Sequence, residues 1–383
     1  MRPDQPPRVM IVAGEASGDL HAGALLRAMQ QQRPGLAASG MGGPQLAAAG
    51  CRLLVDAGRL AVVGLVEVLG VLPGILTAWR RLTGELRRQR PDLLILVDYP
   101  DFNLLLARRA RQLGIPVFYY ISPQIWAWRS GRARSIRRLV DRMAVILPFE
   151  AAFYRRRGMP VDFVGHPLLD TVRRTMPRAR MRQRLGVEPD QPLVALLPGS
   201  RRRELAALLP DFLAAGRLIS QTLPRARFLL PRAPTLGPDD LAPFLAAAGD
   251  LDLLVAADLG YDGLAAADFA LAASGTVTLE LAILGVPMAV AYRLAPLTCW
   301  LGRRLIRVPH ISLVNLVAGQ AVVPELLQEA VTPAGLAAAA LSVLADRQQQ
   351  MTMREGLARV RSLLGEAGAS ERAARLALGL IAP

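Results

Sequence analysis

Residues Ala270–Arg293, ALAASGTVTLELAILGVPMAVAYR, read as a buried strand, a turn of small residues, a short helix and a second strand. Between Asp268 and Arg293 the only charged side chain is Glu280. Burying an isolated carboxylate costs several kcal/mol unless it is paired or hydrogen-bonded, so Glu280 needs a partner. Ser274, Gly275 and Thr276 supply a cap hydroxyl, a residue without a Cβ and backbone N–H groups at a helix N-terminus, which together suit an anion. Two readings stand side by side. Either a phosphate lies over this turn and Glu280 accepts the hydroxyls of a sugar diol, or the unit is plain core and Glu280 pairs with an arginine.

Working outward, the strand-helix alternation extends in both directions. Val9–Ala13, Leu93–Val97, Val117–Ile121 and Ala144–Leu147 are buried-strand runs separated by arginine-rich helical stretches. Leu193–Leu197, Phe228–Leu230, Leu253–Ala256, Phe269–Ala272 and Met288–Ala291 form a second series. Alternation of this kind predicts parallel sheets wound on both faces by helices. The polar, basic, proline-dotted segment after His166 separates the two series, and the chain from Pro333 onward is Ala- and Leu-rich helix. A chain of 383 residues suits two such domains.

The formal charge of +15 rests on arginine alone, since the sequence contains no lysine. Such a field attracts nucleotides, sugar phosphates or anionic head groups. Nucleic acid is not expected as a partner, because aromatics are few and no nucleic-acid-binding signature is present. Cys51 and Cys299 have no disulfide or zinc spacing, and His21, His166 and His310 have no ligand spacing, so no metal is expected. The N-terminus has no apolar signal region, which predicts a cytoplasmic protein.

Leu60–Ala78, LAVVGLVEVLGVLPGILTA, is nearly long enough to span a bilayer but is broken by Glu67, Pro73 and three glycines. A helical hairpin dipping into one leaflet, with Val66, Leu69, Leu72 and Ile75 in contact with lipid, is the favoured reading, and a buried helix is the other.

Three further stretches carry chemistry. AGEASGD (13–19) follows the first strand without being a GxGxxG fingerprint. Glu15 and Asp19 there can hold hydroxyls or cap a helix, and the cap is preferred for Asp19. In LLILVDYPDFN (93–103), Asp98 stands where a buried strand runs out, a position that presents a general base or a helix cap. Asp101 is read mainly as a salt-bridge partner for Arg108 or Arg109. In LLPGSRRREL (196–205), Ser200 and Arg201–Arg203 open a helix, where arginine is unfavourable unless an anion such as a diphosphate balances it. Trp126 and Trp128 can line an acyl or sugar site or belong to a core.

The ordered set AGEASGD (13–19), GMGGP (40–44), DYPDFN (98–103), SPQIWAW (122–128), GHP (165–167), PGSR (198–201), SGTVTLE (274–280) and SLVNLVAG (312–319) resembles the lipid-A-disaccharide synthases over nearly the whole chain. The resemblance implies an α/β architecture of two facing doubly wound Rossmann-like domains, the GT-B type of glycosyltransferase. It implies an acceptor- and membrane-contacting domain over 1–168, a linker over 169–190, a UDP-sugar domain over 191–345 and closing helices over 346–383 that return to the first domain. The implied reaction joins UDP-2,3-diacylglucosamine to 2,3-diacylglucosamine 1-phosphate (lipid X) with inversion and without a cofactor, at the inner face of the inner membrane. Asp98 is then the base and Arg201 the diphosphate stabiliser. Ser17, Ser200, Ser274, Gly275, Thr276, Glu280, Asn315 and Gln320 are the substrate-binding set. The partners are the two lipid substrates and an anionic membrane surface met peripherally, and a homodimer is compatible with the pattern. Val314 departs from the family, which shows proline before this asparagine. A UDP-sugar epimerase of the same fold and a non-catalytic basic membrane-binding protein are the alternatives.

Overall fold

Five consecutive buried residues, Leu93–Val97, form the central strand of the first sheet, because helices cover both of its faces. The computed structural model describes residues 6–59, 68–128, 130–233, 235–246, 248–293 and 309–381. The chain divides into two units, 1–167 with 365–383, and 168–364.

The first unit holds seven parallel strands: β1 (Arg8–Ala13), β2 (Ala37–Gly42), β3 (Arg52–Asp56), β4 (Leu93–Val97), β5 (Val117–Tyr120), β6 (Arg142–Val145) and β7 (Val161–Phe163). Their order is β3-β2-β1-β4-β5-β6-β7, so the winding reverses between β1 and β4. The second unit holds β8 (Leu193–Leu197), β9 (Arg227–Pro231), β10 (Leu253–Ala256), β11 (Phe269–Ala273), β12 (Met288–Tyr292) and β13 (Glu325–Leu327). Its order, β10-β9-β8-β11-β12-β13, reverses between β8 and β11. In open parallel sheets the crevice beyond the strand ends at such a reversal is the ligand position.

The stretch that opens the sequence reading forms β11, the helix Val277–Leu284 and β12. Gly285 ends that helix in the left-handed conformation at φ 73°. Four strands have no counterpart in the sequence reading: β2, β3, β7 and β13. They are short or lie toward sheet edges and lack a continuous apolar run.

Asp19 does cap a helix, but not its own. Its buried carboxylate accepts from the N–H groups of Gly43 (2.7 Å), Leu46 (3.0 Å) and Gln45 (2.9 Å), at the start of the helix Pro44–Ala48. AGEASGD and GMGGP are therefore two halves of one joint.

The segment 60–78 corrects the hairpin expectation where it is described. Val68–Gln89 is one continuous helix with Pro73 inside it, and Ala78, Leu82 and Leu86 bury its inner face in the core. Val66 lies outside the described residues, as do the side chains of Leu69 and Leu72. Ile75 is half-buried against the core rather than presented outward, and the exposed apolar side chain is Leu76, at 53%. No helix among the described residues is long and apolar enough to cross a membrane.

Residues 169–190, read as linker, carry the short helices Leu168–Thr171 and Arg178–Arg184 within the second unit. The Asp262 carboxylate accepts from Thr175 N (2.8 Å), Met176 N (3.2 Å) and Thr175 Oγ1, while Arg178 and Arg182 bond Asp268. At the other end, the helix Arg347–Leu363 stays with the second unit, and Ala369–Leu378 packs on Ala16–Gln32 of the first. Arg372 Nε donates to Val164 O (2.9 Å) and Gln32 to Glu371 O (3.1 Å).

Asp19→Ala leaves three N–H groups without an acceptor. It is expected to lower unfolding free energy by about 3 kcal/mol, read as an earlier urea midpoint. An unchanged midpoint would show that the joint between the two motifs bears no stability.

Candidate functional site

In the first unit the switch point brings together the ends of β1 and β4. Glu15 and Ser17 are exposed at the start of the helix Ala16–Gln32. Asp98 leaves β4 in a left-handed conformation (φ 48°), followed by Tyr99 at φ 45°. Gly14 is required here: a Cβ on it would lie 2.4 Å from the Tyr99 ring. The Asp98 carbonyl accepts from Tyr119 Oη (2.6 Å) and Asn103 Nδ2 (2.7 Å), and its N–H donates to Ile121 O (3.3 Å). The backbone that carries the carboxyl is thus held from three sides.

Burial pushes the Asp98 carboxyl up to about 6, the Glu15 charge adds to the rise, and the Tyr99 N–H opposes it. The group is ionised at neutral pH yet basic enough to accept a proton. Asp101 pairs with Arg132 (2.6 Å) and its side chain is exposed, so this pair serves the surface. His166 of GHP is buried, its imidazole lowered to about 3 by burial and by His21.

In the second unit the corresponding reversal joins the ends of β8 and β11. Ser200 N donates to Glu204 (3.0 Å), Thr235 Oγ1 donates to Ser200 O (2.6 Å), and Gly199 takes φ 116° against the Glu204 side chain. Glu204 is the anion that balances the first turn of Arg202–Thr222. Arg201 is exposed and 3.5 Å from it, and Arg202 pairs with Asp240 (2.7 Å). The sequence reading expects a ligand anion here, and Glu204 supplies a protein carboxylate at the same turn.

Ser274, Gly275 and Thr276 form the turn after β11. Among the described residues nothing lies within 4 Å of where a Cβ on Gly275 would stand, so the space above it is open on their side. Ser274 Oγ reaches Ile311 O at 3.5 Å, which places the loop 311–320 beside the turn. Glu280 is half-buried on the following helix, and burial raises its carboxyl above the usual range. Among the described residues no N–H or O–H donates to it, and its electrostatic neighbour is the half-buried Tyr261. The arginine partner of the plain-core reading is absent among those residues.

Asn315 differs from expectation. It is 1% exposed, and its amide group is fully engaged: Nδ2 donates to Val323 O (2.9 Å) and Glu325 Oε1 (2.8 Å), while Oδ1 accepts from Val322 N (2.8 Å) and Val323 N (3.0 Å). It has no hydrogen-bonding capacity left over for a nucleotide. Glu325 completes the arrangement by accepting also from Ile311 N (2.9 Å), Ser312 N (3.0 Å) and Ser312 Oγ (2.7 Å). Val314 is buried in the short helix Leu313–Ala318, which Ser312 caps by accepting from Asn315 N (3.3 Å) and which the Asn315–Glu325 bond ties to the strand Glu325–Leu327. Gln320 is exposed at its far end. Glu325 has no signal of its role in the sequence because its donors lie ten or more residues away; the one hint is a charge at the head of the three-residue strand ELL.

Two all-parallel, doubly wound units with polar side chains at the carboxyl ends of both switch points define the two-domain glycosyltransferase class of fold. Solved structures of that shape include the glycotransferase of kitacinnamycin (TM-score 0.66, 18% identity, 99% of this chain and 100% of that one). A UDP-GlcNAc 2-epimerase from Neisseria meningitidis bound to UDP-GlcNAc also has it (TM-score 0.63, 12% identity, 97% and 98%). At these identities the likeness is one of fold. The lipid-A-disaccharide synthetase family model matches residues 9–378, and the chain belongs to that family. The lipid-A-disaccharide synthase of Trichlorobacter lovleyi is 48% identical over 98% of both chains. With that membership the chain is a hexosyl-transferring enzyme, and the epimerase alternative is not favoured.

Asn315→Ala strands the N–H groups of Val322 and Val323 and the Glu325 carboxylate. It is expected to cost about 2–4 kcal/mol of unfolding free energy, whereas a residue acting only as a ligand contact would leave stability untouched. Urea titration of the variant separates the two.

Proposed function

We propose that the chain joins UDP-2,3-diacylglucosamine to 2,3-diacylglucosamine 1-phosphate, giving the β-1,6-linked disaccharide 1-phosphate and UDP with inversion. The observation that carries the reading is Asp98, a carboxyl raised to about 6 on a locked backbone at the switch point of the first unit. The acceptor hydroxyl attacks the anomeric carbon, the bond from that carbon to the diphosphate breaks, and Asp98 takes the hydroxyl proton. UDP leaves from the opposite face, which inverts the configuration.

Charge gathers on the diphosphate as the bond breaks. Arg201, exposed and held among the described residues by a long contact to Glu204, can turn toward it at little cost, since such surface pairs contribute about 0–1 kcal/mol. The open turn at Ser274–Thr276 and the Ser200 hydroxyl are placed to donate to phosphate oxygens. Glu280, without a donor among the described residues, accepts the two ribose hydroxyls that its burial otherwise leaves it lacking. Asn315 shapes the nucleotide loop from within, and Gln320 and Ser17 are exposed for contact with substrate.

Both substrates carry acyl chains, so the enzyme has to work at a lipid surface. The charge of +15 and the outward Leu76 on Val68–Gln89 support peripheral attachment to an anionic inner-membrane face. Leu76→Ser is expected to reduce co-sedimentation with anionic vesicles without loss of stability, whereas Ile75→Ser, set against the core, is expected to destabilise the first unit. Equal vesicle binding by wild type and Leu76→Ser would detach this helix from the membrane role.

Purified protein incubated with both diacylated sugars is expected to form disaccharide phosphate and UDP together; UDP without disaccharide would indicate hydrolysis and refute transfer. Turnover is expected to fall at least tenfold per pH unit below about 6, as Asp98 protonates. Asp98→Asn is expected to lower turnover by about a hundredfold to ten-thousandfold. Because the folded pKa lies above the unfolded one, ionisation costs stability as pH rises through about 6. The variant is therefore expected to be no less stable than wild type at pH 8. Near-normal transfer by Asp98→Asn would remove Asp98 from the mechanism.

A further inference from the structure

The first unit holds a further buried carboxylate besides Asp98, on a helix rather than at a strand end. Glu150, 2% exposed, sits in the first turn of the helix Pro148–Arg155 that follows β6. Its Oε1 accepts from Ser122 Oγ (2.6 Å) and Trp126 Nε1 (3.1 Å), and its Oε2 from Leu147 N (3.1 Å). Tyr154, one turn on, donates to Pro123 O (3.0 Å). Among the described residues every group that bonds the carboxylate is a donor, and none is a cation. Ion pairing therefore does not account for its burial, and the bonds it makes all converge on residues 122–126 and the turn before its own helix.

That segment begins where β5 ends. Ile121 takes φ 61°, a left-handed conformation that a β-branched residue adopts only when its surroundings force it. Its N–H donates to Ala144 O (3.0 Å), and its carbonyl accepts the Asp98 N–H (3.3 Å). The strained residue thus has the candidate base on one side and Ser122, tied to Glu150, on the other.

We propose that Glu150 is a positioning residue for Asp98: its ionised carboxylate clamps Ser122 and Trp126, holds Ile121 in its left-handed conformation and so fixes the carbonyl on which the Asp98 amide rests. The proposal takes from the proposed function only that Asp98 is the base. Loss of the clamp lets Ile121 relax, and the Asp98 carboxyl moves away from the acceptor hydroxyl without leaving the fold.

The clamp also depends on pH. Ser122 and Trp126 from the β5 side, the N–H groups of Ile146 and Leu147 after β6, and Tyr154 on its own helix face Glu150, and burial pushes its carboxyl up to about 7. Below that pH the carboxyl becomes a donor facing donors, and at least one bond is lost. Two protonations, at Glu150 and at Asp98, then suppress turnover together.

Glu150→Gln keeps the volume and removes the charge. In the full-length protein, kcat for disaccharide formation is expected to fall about a hundredfold, as for an ångström-scale displacement of a reacting group, with KM for both sugars unchanged. The acid limb of the kcat profile is expected to change from a slope approaching two in wild type to a slope of one. Amide exchange in a peptide spanning Val97–Asn103 is expected to quicken at unchanged global stability. Because exchange needs no substrate, a wild-type chain that made no disaccharide would remove the proposed function and leave this measurement standing. Wild-type kcat and exchange in the variant would overturn the proposal, as would normal turnover per folded molecule in a less stable variant. Should Glu150→Gln not fold, Trp126→Phe decides: it deletes one donor and keeps the ring. A smaller fall in kcat with faster exchange supports the clamp, and wild-type values refute it.

Discussion

The structure depends on carboxylates taken out of water, several of them satisfied by N–H and O–H donors rather than by cations of the kind that Arg52 and Arg88 supply to Glu85. With 46 arginines against 31 acidic residues, counter-charges are plentiful, yet the buried acids bond mainly to backbone amides and hydroxyls. Asp19 joins the first helix to the Gly43 turn, Asp262 holds Thr175 and Met176, and Glu325 gathers Ile311, Ser312 and Asn315. Each of these bonds is charge-assisted and directional, so each sets the path of a loop as well as adding stability. A guanidinium on a long flexible stem would satisfy the charge and leave the loop loose.

The same criterion separates architecture from chemistry. Asp19, Glu325 and Asp262 have their oxygens filled by the protein, and nothing remains to offer a ligand. Asp98 and Glu280 are also drawn out of water, but Glu280 has no donor among the described residues and Asp98 is opposed by the nearby Glu15 charge. An incompletely satisfied carboxylate in a low-dielectric site costs stability, and that cost is recovered only when a substrate hydroxyl arrives. Each of the two lies just beyond a strand next to the point where its sheet reverses.

Much of this organisation is legible in the sequence, and the limits are physical. The continuous apolar runs at Leu93–Val97, Leu193–Leu197 and Phe269–Ala273 announce strands covered on both faces, and they fix the parallel, doubly wound layers. Edge strands such as Glu325–Leu327 are too short to show a pattern. Asp98 could be found because a carboxylate at the end of an apolar run needs no partner to be conspicuous. Asp262 could not, because its donors at Thr175 and Met176 are 87 and 86 residues away. Asn315 was misread for the same reason: a polar residue in a loop looks available until the backbone that uses it up is in place. Leu60–Ala78 is limited differently, since hydrophobicity alone does not say whether a helix packs on lipid or on its own sheet; where Val68–Gln89 is described, Ala78, Leu82 and Leu86 face the core while Leu76 is exposed.

Where strand ends meet at Asp98, the chain also stores strain. Asp98, Tyr99 and Ile121 are three non-glycine residues in the left-handed region at the ends of adjacent strands, each costing of order 1–3 kcal/mol. Relaxing any one would give up bonds at its neighbours: Tyr119 and Asn103 on the Asp98 carbonyl, Ile121 on its amide. Glycine would remove the strain at each position, but it would also admit several backbone conformations where the geometry needs one. Side chains that resist the left-handed region, forced into it by buried hydrogen bonds, hold the Asp98 Cα–Cβ bond in one direction. The conformational cost at this strand end and the fixed aim of the base therefore have the same origin.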